Sequence, residues 1–249
     1  MKRILILLLL FCGVINAQSN IMKLINERRD PFRMTINAAS TTISMKGSGS
    51  IRVVWGDGSY TDYTLTSTAQ NVTHTYSVSA LYKIAIYNPQ KVTYWGSSDN
   101  AAYAFNWAET QKMRMTYFYC SGSNTLSGTL SLPSGMTNFV CYGSNTLSGA
   151  LSLPSGMTTF GCYGANTLSG YSTQSFSNST NYFYLITSGG TGFSAAEVDQ
   201  LCIDLDGSAW AGSSRTLRLT GGAIAAPTAT SAGARASLVV KGVTVTVNP

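Results

Sequence analysis

Apolar and polar residues alternate with a period of two along most of this chain, the spacing at which every second side chain of a strand points to one face. Between Arg33 and Asn88 the alternation falls into short runs at 33–37, 41–45, 51–55, 60–65, 71–76 and 82–87, with turn residues between them. Asp57-Gly58 after Trp55-Gly56 predicts a hairpin turn, because Gly accepts a positive φ and an Asp side chain bonds its own local backbone. Strands of this length packed into under 60 residues predict a small two-sheet sandwich.

Farther along, the alternation acquires a longer period. Asn-Thr-Leu-Ser-Gly stands at 124–128, 145–149 and 166–170, and Leu-Ser-Leu-Pro-Ser-Gly-Met-Thr at 130–137 and 151–158, a repeat of 21 residues. Within each unit Phe118, Phe139 and Phe160 precede Cys120, Cys141 and Cys162 by two positions, so phenylalanine and cysteine share the core face of a short strand. The opposite face then carries Tyr117, Tyr119, Tyr142 and Tyr163, with Asn138, Val140 and Thr159 between them. Asn124, Asn145 and Asn166 follow each strand at a fixed offset, where an amide inside the coil satisfies backbone groups left over as the strand bends. Val92–Trp95 with Asn100 predicts a degenerate early turn of the same stack, and Tyr182–Ile186 a later strand.

Only then does the period change. Ser194-Ala195-Ala196-Glu197 is a capping box opening a helix to Leu205, with Val198, Leu201 and Leu205 on one face. Thr216–Thr220 predicts a strand, Thr228–Lys241 a helix ended by Gly242, and Val243–Val247 a last strand. The fold class expected is mainly β with some α, a small sandwich followed by a repeat solenoid with a β/α cap. Its divisions are 1–17 as a signal peptide, 18–32 as a linker, 33–90 as the sandwich, 91–193 as the solenoid with its clear repeats at 115–178, and 194–249 as the cap.

Two resemblances attach to these residues. Val54-Trp55-Gly56-Asp57-Gly58-Ser59, then His74-Thr75-Tyr76, then Tyr82-Lys83-Ile84-Ala85-Ile86, resembles the PKD family of immunoglobulin-like extracellular modules, with Ala80 where that family usually has Gly. The resemblance implies a non-catalytic spacer or binding module. The strand, Asn, turn and return of the repeat resemble the leucine-rich repeat, although the Cys-to-Asn interval is one residue longer than in its common core and Met, Phe and Cys replace Leu. A β-helical solenoid is the structural rival. The ending resembles terminal units of repeat proteins from Bacteroidota and their phages.

Met1-Lys2-Arg3 and the apolar run Ile4–Phe11 have the form of a secretory signal peptide, with cleavage expected after Ala17; the alternative is a lipoprotein anchored through Cys12. The run is too short to span a bilayer, and no later stretch is long enough, so no transmembrane segment is expected in the mature chain. Removing Lys2 and Arg3 from 16 basic residues leaves 14 against 10 acidic, a weak and scattered basic excess that speaks against nucleic acid. The spacing of Cys120, Cys141 and Cys162 reads as repeat periodicity, so stacked thiols are expected instead of disulfides or a metal site.

Charge also bears on chemistry. Between Arg114 and Glu197 there is no Asp, Glu, Lys, Arg or His, so acid–base catalysis has no groups there. The chain lacks G-x-S-x-G, H-E-x-x-H and a P-loop, and its one histidine, His74, has no evident partner in its motif. Glu197, Asp199, Asp204 and Asp206 are expected on the solvated face of a helix. No enzyme activity, cofactor or metal is expected. The function expected is extracellular recognition or adhesion, with a protein or glycan ligand held on the outward tyrosine face. The alternative is a structural or assembly subunit that self-associates, surface-borne or phage-associated.

Overall fold

The computed structural model describes residues 30–97, 101–121, 125–176, 182–187, 192–208 and 210–249. The protein is mainly β, with its strands joined in one 14-stranded hydrogen-bonded sheet and a solenoid-like parallel stack along most of its length.

Two long strands set the architecture. β1 (Phe32–Gly47) and β4 (Gln70–Tyr87) pair antiparallel from Phe32↔Ile86 to Met45↔Gln70, with a register shift between Ala38 and Ser40. Each merges two of the short strands expected from sequence. The Ala38-Ala39-Ser40 and Ser77–Ala80 segments carry no Gly, Pro or Asn-Gly to reverse the chain, so the ladder bends through an irregularity instead of breaking.

The bend sends the two halves of the β1–β4 pair into different layers. The latter half of β1 pairs with β5 (Val92–Ser97), which begins a parallel series through β7 (Tyr117–Cys120), the start of β9 (Asn138–Ala150), β10 (Thr159–Gly164), β12 (Tyr182–Thr187), β13 (Thr216–Gly221) and β14 (Thr244–Val247). We call this the front layer. The first half of β1 pairs with β6 (Ala102–Phe105), which leads through β8 (Thr125–Thr129) to the end of β9 and β11 (Thr167–Ser169). β2 (Gly49–Val54) joins that back layer on β4, and β3 (Tyr60–Leu65) pairs with β2.

The core lies between the layers and is continuous from one end to the other. Trp95 of the front layer meets Phe105 of the back layer at 5.1 Å, and Phe118, Phe139, Phe160 and Phe183 form a column with ring centroids 5.2, 5.7 and 4.9 Å apart. The same buried cluster takes in Ile43 and Trp55 at one end and Leu219 and Leu238 at the other. β1 therefore closes the first coil of the stack by pairing with both of its strands, β5 and β6.

At the far end two helices cover the core. α1 (Ala195–Gly207) opens on the capping box, with Ser194 Oγ accepting from the Glu197 amide and Glu197 Oε2 accepting from the Ser194 amide. Val198, Leu201 and Leu205 are buried beneath it. The helix expected at 228–241 is shorter: the Thr228 side chain accepts from the Thr230 amide and holds a 3-10 turn over Ala229–Ser231, and α2 follows at Ala232–Val240. No helix among the described residues is long and apolar enough to cross a membrane.

Candidate binding face

Alternation along the front strands puts Tyr94, Tyr117, Tyr119, Tyr142, Tyr163, Tyr182 and Tyr184 on the outward side of that layer, all partly exposed. Their rings touch from strand to strand. Tyr94 stacks on Tyr117 at 5.0 Å, Tyr119 meets Tyr142 at 6.3 Å, Tyr142 meets Tyr163 at 4.6 Å, and Tyr163 meets Tyr184 at 6.2 Å. Lys46 lies 4.9 Å above the Tyr94 ring at one end, and Arg218 neighbours Tyr184 across the ladder at the other.

The repeat alone suggests Tyr142 and Tyr163 as two parallel rings, but their planes meet at 67°. Strands about 4.8 Å apart bring two rings close enough for an edge to meet a face, which the aromatic quadrupole favours over a sandwich. Nor are all the outward positions open. Thr159 is 4% and Val140 2% exposed. Tyr182 and Val140 both border Gly161: a Cβ there would stand 3.4 Å from Tyr182 Cε2 and 3.6 Å from Val140 Cγ1, ordinary contact distances. The Tyr182 and Tyr142 hydroxyls also share a hydrogen bond. Asn138 is half-buried, its Oδ1 accepting from the Thr137 hydroxyl at 2.8 Å.

Burial raises the pKa of several of these phenols. Tyr163 is pushed up to about 12, by desolvation first and then by Tyr142 and Tyr184, with Arg218 pulling the other way. Desolvation raises Tyr142 and Tyr94 as well. These hydroxyls are thus neutral donors and acceptors at ordinary pH. Tyr94, Tyr182 and Tyr184 fall outside the exact repeat, which is why periodicity does not select them. The alternation in Tyr-Phe-Tyr-Leu-Ile at 182–186 does mark Tyr182 and Tyr184 as outward.

Behind this face, Asn145 is fully buried, accepting at Oδ1 from the Leu126 amide (2.9 Å) and donating through Nδ2 to the Tyr163 carbonyl (2.8 Å). Asn166 accepts from the Leu147 amide at 2.9 Å. Each amide joins one coil to a neighbour. Asn124 and Asn100 lie outside the described residues. Cys120, Cys141, Cys162 and Cys202 are buried and in no disulfide, with Cys141 Sγ 3.4 Å from Cys162 Sγ. Among the described residues no group of three or more His, Cys, Asp or Glu is placed to hold a metal ion.

Two readings of charged residues are corrected. His74 does have a partner in its motif: Nε2 lies 2.8 Å from Asp57 Oδ2, and the imidazole stacks on Trp55 at 4.7 Å. The Ser59 hydroxyl and amide bond Asp57 and, with His74, hold its pKa well below the ordinary carboxylate range. The α1 carboxylates are not a solvated face either. Asp199 accepts from Thr228 and Ser231, Asp204 from the Tyr171 hydroxyl (2.7 Å) and the Gln174 amide (2.8 Å), and Glu197 from the Tyr171 amide (2.8 Å). Asp199 and Asp204 are both buried, tying the helix to loops that a linear pattern does not bring near it. No family model, no curated protein and no solved structure matches this chain.

Proposed function

We propose that this is an exported, non-catalytic recognition or adhesion protein, a PKD-like sandwich continuous with a leucine-rich-repeat-like solenoid, whose outward tyrosines dock a protein or glycan at a cell surface. The observation that supports it is the row of seven outward tyrosines across the front layer, with ring contacts from Tyr94 to Tyr117 and from Tyr119 through Tyr142 and Tyr163 to Tyr184 and Tyr182. Phenol rings join a large apolar surface to a hydroxyl that both donates and accepts, at little cost in side-chain entropy. From Tyr94 on β5 to Tyr184 on β12 the run crosses four strand spacings, about 19 Å. A ligand matched to it is elongated and lies across the strands.

The experiment is binding of the mature chain to a panel of glycans of increasing length and to cell surfaces. Affinity should climb with length until about 19 Å is covered. Tyr142→Ala and Tyr163→Ala should each weaken binding about thirtyfold, equivalent to about 2 kcal/mol, with the fold retained. Equal binding by both variants would place the ligand elsewhere.

A second reading, self-association in a surface or phage-associated assembly, draws on the cap. β14 has a strand partner on one side only, and Val240 beside it is 88% exposed. Light scattering over a concentration series separates the two: an assembly subunit grows with concentration, whereas a binding module stays monomeric until given ligand.

A further inference from the structure

On the back layer, away from the tyrosine run, β2, β3 and the end of β4 bound an open groove of about 570 Å³. Strand register builds it. Arg52 stands between Asp62 of β3 and Tyr87 of β4, and Val54 stands between Tyr60 and Ala85. Their outward side chains make the walls, while Val53 and Ile86 of the same strands point into the core. Asn88 closes one end, donating through Nδ2 to the Ser50 carbonyl at 3.1 Å. It is the one residue other than Gly with a positive φ (59°) among those described, a conformation that Asn tolerates, and it leads into the 3-10 turn Pro89–Lys91.

The guanidinium at the centre is held before any ligand arrives. Arg52 Nε and Nη2 each donate to Asp62 at 2.7 Å, and the guanidinium carbon lies 4.1 Å from the centroid of the Tyr60 ring. Only two of its five N–H bonds are spent on the carboxylate, so directed donors remain whose orientation costs little further entropy. The pair carries no net charge, which removes any general attraction for an anion or a cation. Tyr60, 59% exposed, and Tyr87 add ring surface beside polar groups. Fixed donors, hydroxyl groups, aromatic faces and net neutrality suit a ligand that alternates C–H faces with hydroxyls. The volume falls in the range of small-molecule sites.

We propose that this groove is a binding site for one or two units of a neutral pyranose sugar. The site is independent of the tyrosine face and stands whether or not that face binds anything.

The test is a titration of the full mature chain with the methyl glycosides of glucose, galactose, mannose and N-acetylglucosamine, followed by protein-observed NMR up to tens of millimolar. At least one sugar should shift the Arg52 Nε–H and the backbone amides of residues 52, 60–62 and 87–88, with a dissociation constant of about a millimolar. Arg52→Lys, which keeps the charge but loses the fork, and Tyr60→Ala, outside the core, should each weaken that binding about tenfold. Tyr163→Ala should leave it unchanged. No shift with any of the four sugars, shifts confined to residues 117–184, or undiminished binding by both groove variants would overturn the proposal.

Discussion

Asn145 satisfies two backbone groups on two neighbouring coils and has no access to water, so its removal leaves an amide N–H and a carbonyl without partners. Asn145→Ala should cost about 1–3 kcal/mol, whereas Thr146→Ala, exposed on the next position, should cost little. Thermal melts of the two variants decide it, and equal melting points would contradict the bonding described. The cap carboxylates give a pH dependence. For Asp199 and Glu197 desolvation opposes ionisation, but hydrogen bonds from Ser231 and Thr228 to the first, and from Ser194 and Tyr171 to the second, outweigh it. Asp206, likewise desolvated, is lowered overall by Lys241 and Ser237. With folded pKa values below the unfolded ones, the stability these groups contribute is complete above about pH 4 and is lost as pH falls through the folded values. Urea midpoints should therefore drop below about pH 4, and Asp199→Asn should flatten that drop. The spacing of the Asn residues was plain from the repeat. The partners of His74, Asp199 and Asp204 were not, because two are loops some 30 residues away and the third is a turn residue whose side chain folds back.

At the scale of elements, the repeat strands follow directly from alternation, and their parallel register sets Phe139 beside Phe160 and Cys141 beside Cys162. Neighbouring parallel strands hold those sulfurs in contact without the side-chain geometry of a disulfide. Mass spectrometry of the native chain without reductant should give the mass of free thiols at Cys120, Cys141 and Cys162; a two-dalton deficit mapped to any pair would refute this. A glycine with positive φ stands at the same repeat position in β9 and β10, Gly143 and Gly164. Gly164 has φ 131°, and a Cβ there would stand 2.5 Å from the Asn145 nitrogen, so no other residue fits between coils. The capping box of α1 was equally legible. Ser194→Ala should cost about 1 kcal/mol, read as a lowered melting temperature. The long strands β1 and β4 were not legible as such, since a bend that keeps its hydrogen-bond ladder looks locally like two strands and a loop.

For the whole molecule, a single buried cluster from Ile43 to Leu238 and a sheet unbroken from β3 to β14 leave no seam at which one part can melt without exposing the core of the next. Calorimetry should show one cooperative transition; two well-separated ones would contradict the continuity of the core. The tyrosine face is also a property at this scale. Its rings come from β5, β7, β9, β10 and β12, and only stacking of coils brings them together.

Sequence by itself determined what depends on local periodicity: strands where residues alternate, a stack where a unit recurs every 21 residues, buried Phe and Cys columns, and a capped helix near the end. Tertiary structure decided what depends on packing across layers. It turned Tyr142 and Tyr163 edge to face, buried Thr159 and Val140, drew the cap carboxylates inward, and joined β1 to both strands of the first coil. The reason is physical: a linear pattern specifies which face a side chain takes, but which atoms then meet it depends on neighbours that the chain supplies from many residues away.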